Sequence, residues 1–270
     1  MSDRNGIVLS ELRKLWALLA GVKNPVPAVL DRLGLRREPY TLHLRSGAVV
    51  ELRPRAGDLF GFYEIMLRGD YLASGQRLAA GATVIDVGAN IGCFTLVAAR
   101  AVGQTGRVFA IEPEESTYRQ LLRNIGLNKL TNVIPLKLAL GALRGTRTLR
   151  SDPNRLFSSL FSSVNGREIQ GIDQEVEVTT LDALMDAHQI PHCDFLKLDC
   201  EGAEHEIIRN MAQTTVRRVA QITMEVHKVP GFDGHTLASH LGTLGYRRVG
   251  TSRLPFYVRS APGPTQLTPS

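Results

Sequence analysis

The sequence predicts an α/β protein organised around a doubly wound, mostly parallel sheet of seven strands. Short apolar runs of strand length alternate with stretches of helical periodicity between residues 83 and 258. The first run, TVIDVGANIGCFT at residues 83–95, turns abruptly into a helix through two glycines and an asparagine. With 270 residues, of which 43% are hydrophobic, the chain is long enough for one large α/β domain and an appendage.

The first 80 residues are expected to form a cap on that domain, which spans residues 81–260. Residues 9–22 place apolar side chains at helical intervals, at Leu12, Leu15, Trp16 and Leu19. Prolines follow at positions 25 and 27, residues 40–53 alternate around a Ser-Gly turn as a β-hairpin does, and residues 60–71 have a helical pattern. We expect the first helix to pack on the body or in a homodimer, because its two basic residues make a weak membrane anchor.

The turn after the first strand of the main domain has the pattern D-x-G-x-N-x-G, formed by Asp86, Gly88, Asn90 and Gly92. Residues without bulk let a ligand approach the backbone at the positive end of the helix dipole. Dinucleotide sites hold a pyrophosphate with G-x-G-x-x-G, whereas the carboxylate of Asp86 would repel a phosphate and suits a cation or an amine. The pattern therefore favours S-adenosylmethionine, which carries a sulfonium, an ammonium and a ribose, and we expect Ala89 to contact it as well.

A second acidic residue ends the next strand. Residues 107–111 are followed by Glu112 and Pro113, and an acid in this place binds the ribose hydroxyls in Rossmann units. Ala139, which begins the turn after the strand expected at 133–138, completes the predicted cofactor site. An ordinary βαβ unit with a capping aspartate and a surface glutamate is the alternative.

The alternation of strands and helices breaks in an insert at residues 143–180. Residues 147–150 and 176–181 have the pattern of two paired strands, and the polar segment between them is rich in serine. A long polar insert at this point is expected to cover the site rather than to form core. The alternation then resumes to complete seven strands, and the Pro- and Ser-rich residues 261–270 are expected to be disordered.

Composition and charge bear on the class of protein. The net charge is +6, but the arginines are scattered, which is typical of a solvated surface and disfavours nucleic acid as a partner. The chain has neither a secretory leader pattern nor eighteen consecutive apolar residues, so we expect a cytoplasmic protein without a transmembrane segment. Cys93, Cys193 and Cys200 lack C-x-x-C spacing and are expected to be reduced core residues.

Taken together, the motifs resemble those of FkbM-type S-adenosylmethionine-dependent methyltransferases. The resemblance covers residues 58–227 and rests on VIDVGANIGCFT, VFAIEP, the asparagines at 124, 128 and 132, VTTLDAL, FLKLDCEGAE and MEVH. It implies a class I methyltransferase (Rossmann-like) fold and O-methylation of a hydroxyl on a sugar, polyketide or related small metabolite. The cofactor positions that it implies are Asp86, Gly88, Asn90 and Glu112. It also implies that Asp199 and His227 face the reacting centre.

Methylation of an aliphatic hydroxyl requires the loss of its proton, which calls for a base with a pKa near neutral or for a metal ion. His227 meets the first requirement, because an unperturbed imidazole has a pKa of about 6.5. Asp199 and Glu225, together with His227, meet the second requirement, because these side chains are able to chelate Mg²⁺. The other interpretation is that Asp199 orients the acceptor directly. The alternative for His227 is a hydrogen-bonded histidine of purely structural function.

Two other functions stay open from the sequence alone. An RNA or protein methyltransferase is favoured by the positive net charge and predicts a basic surface leading to the site. A non-catalytic S-adenosylmethionine-binding protein would keep the fold without the chemistry. The joint presence of Asp86, Glu112 and Asp199 disfavours this last alternative.

Overall fold

The computed structural model describes residues 2–73, 75–76, 78–152 and 158–260. The tail predicted to be disordered, residues 261–270, lies outside the described residues. The N-terminal segment contains the predicted helix and hairpin, followed by short helices. Its elements are α1 (Ser2–Gly21), α2 (Val26–Arg32), β1 (Tyr40–His43), β2 (Val49–Leu52), α3 (Asp58–Phe62), a π-helix (Tyr63–Arg68) and a 3-10 helix (Asp70–Leu72).

The main domain begins with two strand-helix units and a third strand. These elements are β3 (Thr83–Val87), α4 (Cys93–Val102), β4 (Arg107–Ile111), α5 (Glu115–Leu127) and β5 (Val133–Leu136). The insert follows as β6 (Ala139–Leu140), β7 (Gly145–Ser151), β8 (Ser158–Ser159), β9 (Ser163–Val164), β10 (Arg167–Glu168) and β11 (Ile172–Thr179). The chain then returns to the main sheet. The last elements are α6 (Leu181–Ala187), β12 (Phe195–Leu198), α7 (Ala203–Arg209), α8 (Gln213–Arg218), β13 (Gln221–Met224), α9 (Gly234–Thr243), β14 (Tyr246–Val249) and β15 (Phe256–Arg259).

Seven strands of the described chain form the main sheet in the order β14-β15-β13-β12-β3-β4-β5. β15 runs antiparallel to both of its neighbours, and the pairs among β13, β12, β3, β4 and β5 are parallel. The predicted doubly wound sheet, and with it the class I methyltransferase (Rossmann-like) fold, is therefore confirmed. The strand order reverses between β3 and β12, and ligands of open α/β sheets bind at the carboxyl ends of the strands beside such a switch point.

The central strands are recognisable in the sequence because they are buried on both faces. β12 is buried at every position, and in β3 and β4 only the first residue is not. Strands covered by helices on both sides of a parallel sheet consist of continuous apolar runs. Lys197 in β12 and Asp86 in β3 are the charged exceptions in the middle of these runs, and they face each other across the pair.

Two asparagines of the family-like motif, Asn124 and Asn128, serve the docking of the N-terminal hairpin. Asn124 in α5 accepts a hydrogen bond from the N–H of Glu51 at 2.8 Å, and Asn128 accepts one from the N–H of Val49 at 3.0 Å and donates one to its carbonyl at 2.6 Å. The two amides thus satisfy the edge of β2 as a neighbouring strand would. Apolar residues of the hairpin share one buried cluster with Ile91 in the turn before α4. The cap and the main domain have a common core.

The insert contains the predicted pair of strands. β7 and β11 pair antiparallel over seven positions, with Arg147 opposite Val176, and β11 continues beside β6 in parallel. Residues of this insert reach the carboxyl edge of the main sheet, where Ser159 Oγ donates a hydrogen bond to the carbonyl of Glu201 at 2.6 Å. The insert therefore forms one wall of the region predicted to bind ligands.

The N-terminal helix α1 exposes part of its apolar side, since Trp16 is 72% exposed and Leu12 is 56% exposed. Over the described ranges of the chain, none of the helices combines the length and the apolar character needed to cross a bilayer. The homodimer and the role of this helix stay predictions. Cys93 and Cys193 are buried free thiols and Cys200 is partly buried, in agreement with their expected place in the core.

Candidate active site

The turn after β3 brings the backbones of two strand ends into contact. Gly88 has a φ of +73°, and a Cβ atom built on it would lie 1.7 Å from the carbonyl oxygen of Asp199, just beyond β12. Asn90 has a φ of +51°, a conformation that asparagine adopts more readily than most residues. A glycine at position 88 is therefore required for the loop after β12 to pack directly on this turn.

The backbone N–H groups of this turn are all used inside the protein. Those of Gly88 and Ala89 donate to the carbonyl of Ile111 at 3.0 and 2.9 Å, and that of Asn90 donates to Glu112 Oε2 at 2.9 Å. The N–H groups of residues 91 and 92 also have partners within the turn. Within residues 88–92 no N–H is left for an anion, so this turn lacks the phosphate cradle of a dinucleotide site.

Glu112 follows β4 and is buried, with 7% of its surface exposed. Its Oε1 accepts a hydrogen bond from the N–H of Glu114 at 3.0 Å, in addition to the bond that Oε2 accepts from Asn90. Burial raises the pKa of this carboxyl to about 7, although the two hydrogen bonds lower it. Each carboxylate oxygen has a second lone pair, so Glu112 is able to accept two further hydrogen bonds from a ligand such as a ribose.

A narrow cavity lies beside Glu112 at the carboxyl edge of the sheet. Five of the predicted cofactor residues line it, namely Gly88, Asn90, Glu112, Pro113 and Ala139. Leu149, Ser158 and Leu160 of the insert form its opposite wall. Ala89 lines the larger cavity next to it. Gly92 lies beneath the turn as the residue before α4, with a φ of +92° and no room for a side chain next to Leu121.

Asp86 does not occupy the position expected of a cofactor ligand. Its side chain is 0% exposed and is absent from the described lining of both cavities. Its carboxylate lies 3.0 Å from the ammonium of Lys197 and accepts a hydrogen bond from Thr95 Oγ1 at 2.6 Å. The expected direct contact with a cationic ligand does not fit this location, because Lys197 already supplies the positive charge.

The buried Lys197 connects this ion pair to the turn. Its ammonium donates a hydrogen bond to the carbonyl of Gly88 at 2.7 Å and lies 3.8 Å from Asp199 Oδ2. Burial opposes the charge on Lys197, but the carboxylates of Asp86 and Asp199 outweigh this effect and raise the pKa of the ammonium. Asp86 therefore acts on the site indirectly, by holding the lysine that holds the turn.

A larger cavity of about 530 Å³ adjoins the narrow one. The N-terminal segment supplies part of its wall, including Tyr71, whose hydroxyl donates a hydrogen bond to Asp199 Oδ2 at 2.5 Å. Asn165 of the insert lies on the opposite side. The two cavities share four lining residues, which are Gly88, Asn90, Asp199 and Glu201.

His227 lies at this junction beside Asp199, with partners that the sequence did not reveal. Its Nδ1 lies 3.1 Å from Oε1 of the buried Glu204, which also accepts a hydrogen bond from the N–H of His227 at 2.6 Å. Its Nε2 lies 3.3 Å from Glu201 Oε2 and 4.0 Å from Asp199 Oδ1. Asp199 and His227 therefore meet at one place, with Glu201 between them.

The charges around His227 change its protonation. Burial opposes a charge on the ring, but the hydrogen bond to Glu204 and the charges of Glu201, Glu204 and Asp199 raise the pKa of the imidazole to about 10. The ring is then an imidazolium at neutral pH and has no free lone pair with which to take a proton. This state does not match the near-neutral base expected from the sequence. Burial also raises the pKa of Glu201, to about 7.

Glu225 occupies a different place from the one expected of a metal ligand. It follows β13 and lines the larger cavity, but it lies 3.4 Å from Arg253 and outside the group formed by Asp199, Glu201 and His227. Glu201 rather than Glu225 groups with Asp199 and His227. Glu201 and Glu204, both in the motif FLKLDCEGAE, have contacts with His227.

Three residues of the site were missed or undervalued in the sequence. Lys197 had a detectable signal, because a charge in the middle of an apolar β-run is rarely buried without a partner. The neighbouring acid in β3 is that partner. For Tyr71, the contact with Asp199 was not visible in the sequence, because the two residues are more than a hundred positions apart along the chain. Glu201 was visible only as the acid two positions after Asp199 in the motif FLKLDCEGAE.

Comparison with known proteins places these features in a family. The profile of the methyltransferase FkbM domain matches residues 86–250, which is more than half of the chain. The sequence is 27% identical over 226 residues to the 31-O-demethyl-FK506 methyltransferase FkbM of Streptomyces tacrolimicus, covering 73% of this chain and 85% of that protein. It is 26% identical over 144 residues to the hexuronic acid methyltransferase AglP of Haloferax volcanii, covering 53% and 54% of the two chains.

Among solved structures, the chain is similar to a SAM-dependent O-methyltransferase from Thermotoga maritima. The TM-score is 0.43 at 14% identity, over 86% of this chain and 82% of that one.

Proposed function

The chain belongs to the FkbM methyltransferase family, and we propose that it transfers a methyl group from S-adenosylmethionine to a hydroxyl of a sugar, polyketide or related small metabolite. One observation carries the proposal. The narrow cavity beside Glu112 and the larger cavity beside Tyr71 share a wall at the carboxyl edge of the sheet. Donor and acceptor bound in these two cavities would meet at Gly88, Asn90, Asp199 and Glu201, as an in-line transfer requires.

In this proposal the narrow cavity holds the nucleoside end of the cofactor. Glu112 accepts hydrogen bonds from the ribose hydroxyls, and Pro113 and Ala139 contribute apolar contacts. The internally bonded turn at residues 88–92 favours a phosphate-free ligand over a dinucleotide. S-adenosylmethionine supplies an electrophilic methyl group, and the chain's own residues position the two reactants.

The larger cavity is suited to a compact polar acceptor. Its volume of about 530 Å³ lies in the ordinary range for small-molecule sites. Carboxylates predominate among its charged lining residues, which are Asp58, Glu64, Asp70, Asp199, Glu201, Glu225, Lys197, His227, Arg167 and Arg253. Carboxylates accept hydrogen bonds from hydroxyl groups and repel phosphates. This lining favours a hydroxylated metabolite over RNA.

Transfer breaks the carbon–sulfur bond of the donor and forms a carbon–oxygen bond, while the hydroxyl proton leaves. The products are a methyl ether, S-adenosylhomocysteine and a proton. Of the two ways to activate the hydroxyl that the sequence left open, we propose a metal ion, which Asp199, Glu201 and His227 would hold. Such an ion lowers the pKa of an oxygen that it binds and orients that oxygen at the same time.

The transfer reaction itself is tested with methyl-labelled S-adenosylmethionine. The full chain, incubated with extracts of small metabolites and with purified hydroxylated acceptors, is expected to move the label into the small-molecule fraction, with one S-adenosylhomocysteine formed per methyl group. Parallel samples of total RNA and of protein serve as controls. Label that enters only precipitable RNA or protein, or no transfer in any sample, would contradict the proposed acceptor class.

Cofactor affinity is expected to depend on pH through Glu112. The ribose hydroxyls donate to an ionised carboxylate, and the pKa of this carboxyl in the free protein is about 7. A fall from pH 8 to pH 6 protonates the group and should weaken binding about tenfold, since binding must then displace a proton. Calorimetry with S-adenosylhomocysteine measures the profile. Glu112→Gln should bind weakly and lose this pH dependence, and a variant that keeps the wild-type profile would show that another group is responsible.

A further inference from the structure

We infer that Asp199, Glu201 and His227 form a binding site for a divalent cation of the Mg²⁺ or Mn²⁺ type at the junction of the two cavities. One ligand atom from each side chain lies within 4.8 Å of the other two. Atoms that share an octahedral ion with bonds of about 2.1 Å are separated by roughly 3 Å when adjacent and 4.2 Å when opposite. The separations of 3.3 Å and 4.0 Å from His227 Nε2 lie within this range, and the two carboxylate oxygens are no more than 4.8 Å apart.

The atoms that point away from the junction are held by other residues. Glu204, with 0% of its surface exposed, binds His227 Nδ1 and so directs Nε2 toward the two carboxylates. The hydroxyl of Tyr71 donates a hydrogen bond to Asp199 Oδ2, and the other carboxylate oxygen, Oδ1, faces His227. Outer partners of this kind are what fixes the orientation of metal-binding side chains. An ion pair on the protein surface does not require a second, buried carboxylate such as Glu204 on the other nitrogen of the histidine.

Glu201 is held in an unusual backbone conformation that places it in the group. Its φ is +51°, which is uncommon for a glutamate and tends to occur at functional sites. Ser159 of the insert binds its carbonyl at 2.6 Å. The next residue, Gly202, has a φ of +109°, and a Cβ there would lie 2.4 Å from Val229 Cγ1. The packing thus maintains the conformation from both sides.

The position of the group matches a catalytic use, and in that respect the inference rests on the proposed function. Asp199 and Glu201 line both cavities and His227 lines the acceptor side. Three protein ligands leave positions on a six-coordinate ion for water or for acceptor hydroxyls. Nε2 of His227 then binds the ion in place of a proton. Two carboxylates with one imidazole match the oxygen-rich preference of Mg²⁺ and Mn²⁺ more closely than that of softer metals.

The site is tested by titrating the chelator-treated full chain with Mn²⁺ and following free Mn²⁺ by electron paramagnetic resonance. We expect one bound ion per chain, displaced by excess Mg²⁺, with electron spin-echo modulation from one imidazole nitrogen. Asp199→Asn and Glu201→Gln should weaken binding at least about tenfold, and His227→Gln should also remove the nitrogen modulation. The thermal unfolding of each variant shows whether it is folded.

Glu225→Gln is the matched control, because this carboxylate lines the same cavity but lies outside the group. It should weaken Mn²⁺ binding far less than Asp199→Asn and Glu201→Gln do. The inference is overturned if the wild-type chain binds no Mn²⁺ at millimolar concentration, or if Asp199→Asn and Glu201→Gln bind it as the wild type does. Calorimetry with S-adenosylmethionine on the same samples separates the two proposals. A chain that binds this cofactor but no Mn²⁺ contradicts the cation site alone, whereas one that binds Mn²⁺ but not the cofactor contradicts the proposed function alone.

Discussion

Gly88→Ala is expected to weaken the binding of S-adenosylmethionine by about 100-fold, which corresponds to about 3 kcal/mol. The new methyl group would lie 1.7 Å from the carbonyl oxygen of Asp199, and a backbone atom has no alternative rotamer. The turn and the loop after β12 must therefore move apart, and both line the two cavities. Calorimetry with S-adenosylmethionine measures the loss.

Gly81→Ala is the matched control. It introduces the backbone strain of a positive φ without the steric clash that Gly88→Ala causes. Gly81 has a φ of +83°, but the nearest atom to its added Cβ is Thr105 Oγ1 at an ordinary 3.6 Å. The cost should be about 1 kcal/mol in the free energy of unfolding, with cofactor affinity unchanged. If both alanine variants weaken cofactor binding equally, close contact between the two loops is not what shapes the site.

Asp86→Asn is expected to lower the free energy of unfolding by about 3–5 kcal/mol, because it leaves the charge of Lys197 buried without its main partner. Asp86 and Lys197 are 0% and 1% exposed, and their charged groups are 3.0 Å apart. Cofactor binding should weaken as well, since the same ammonium holds the carbonyl of Gly88. Denaturant unfolding measures the first effect and calorimetry the second.

A double-mutant cycle with Lys197→Met tests whether the two charges act as a pair. Lys197→Met alone leaves the Asp86 carboxylate with Thr95 as its remaining bonded partner and should also be strongly destabilising. The double variant removes both charges and should be more stable than the sum of the single effects predicts. Additive losses would mean that the ion pair is not the reason for the burial of Asp86.

The arrangement of the sheet was accessible from the sequence because its central strands are buried on both faces and its turns need glycine. The same reason explains why Gly88, Asn90, Glu112, Pro113 and Ala139, which were predicted as cofactor residues, line one cavity. Each follows a recognisable apolar run and lies at the carboxyl edge of the sheet. Backbone rules of this kind depend on local sequence, so they do not require knowledge of distant contacts.

The chemistry at the junction was less accessible because it depends on contacts between remote segments. The pairing of Asp86 with Lys197 turned a predicted ligand into a buried structural charge. The carboxylates around His227 raised the pKa of a predicted base. Glu201 rather than Glu225 groups with Asp199 and His227, and Glu225 lies beside Arg253. Patterns of residue type place acids at strand ends, but they do not show which acid meets which cation.

A crystal structure of the full chain with S-adenosylhomocysteine is the most direct test of the central claim, that donor and acceptor meet where the two cavities join. We expect the ribose hydroxyls to bind Glu112 and the sulfur to point toward Asp199 and Glu201. The claim is contradicted if the nucleoside binds elsewhere, or if it occupies the larger cavity beside Tyr71 and leaves Glu112 without a ligand.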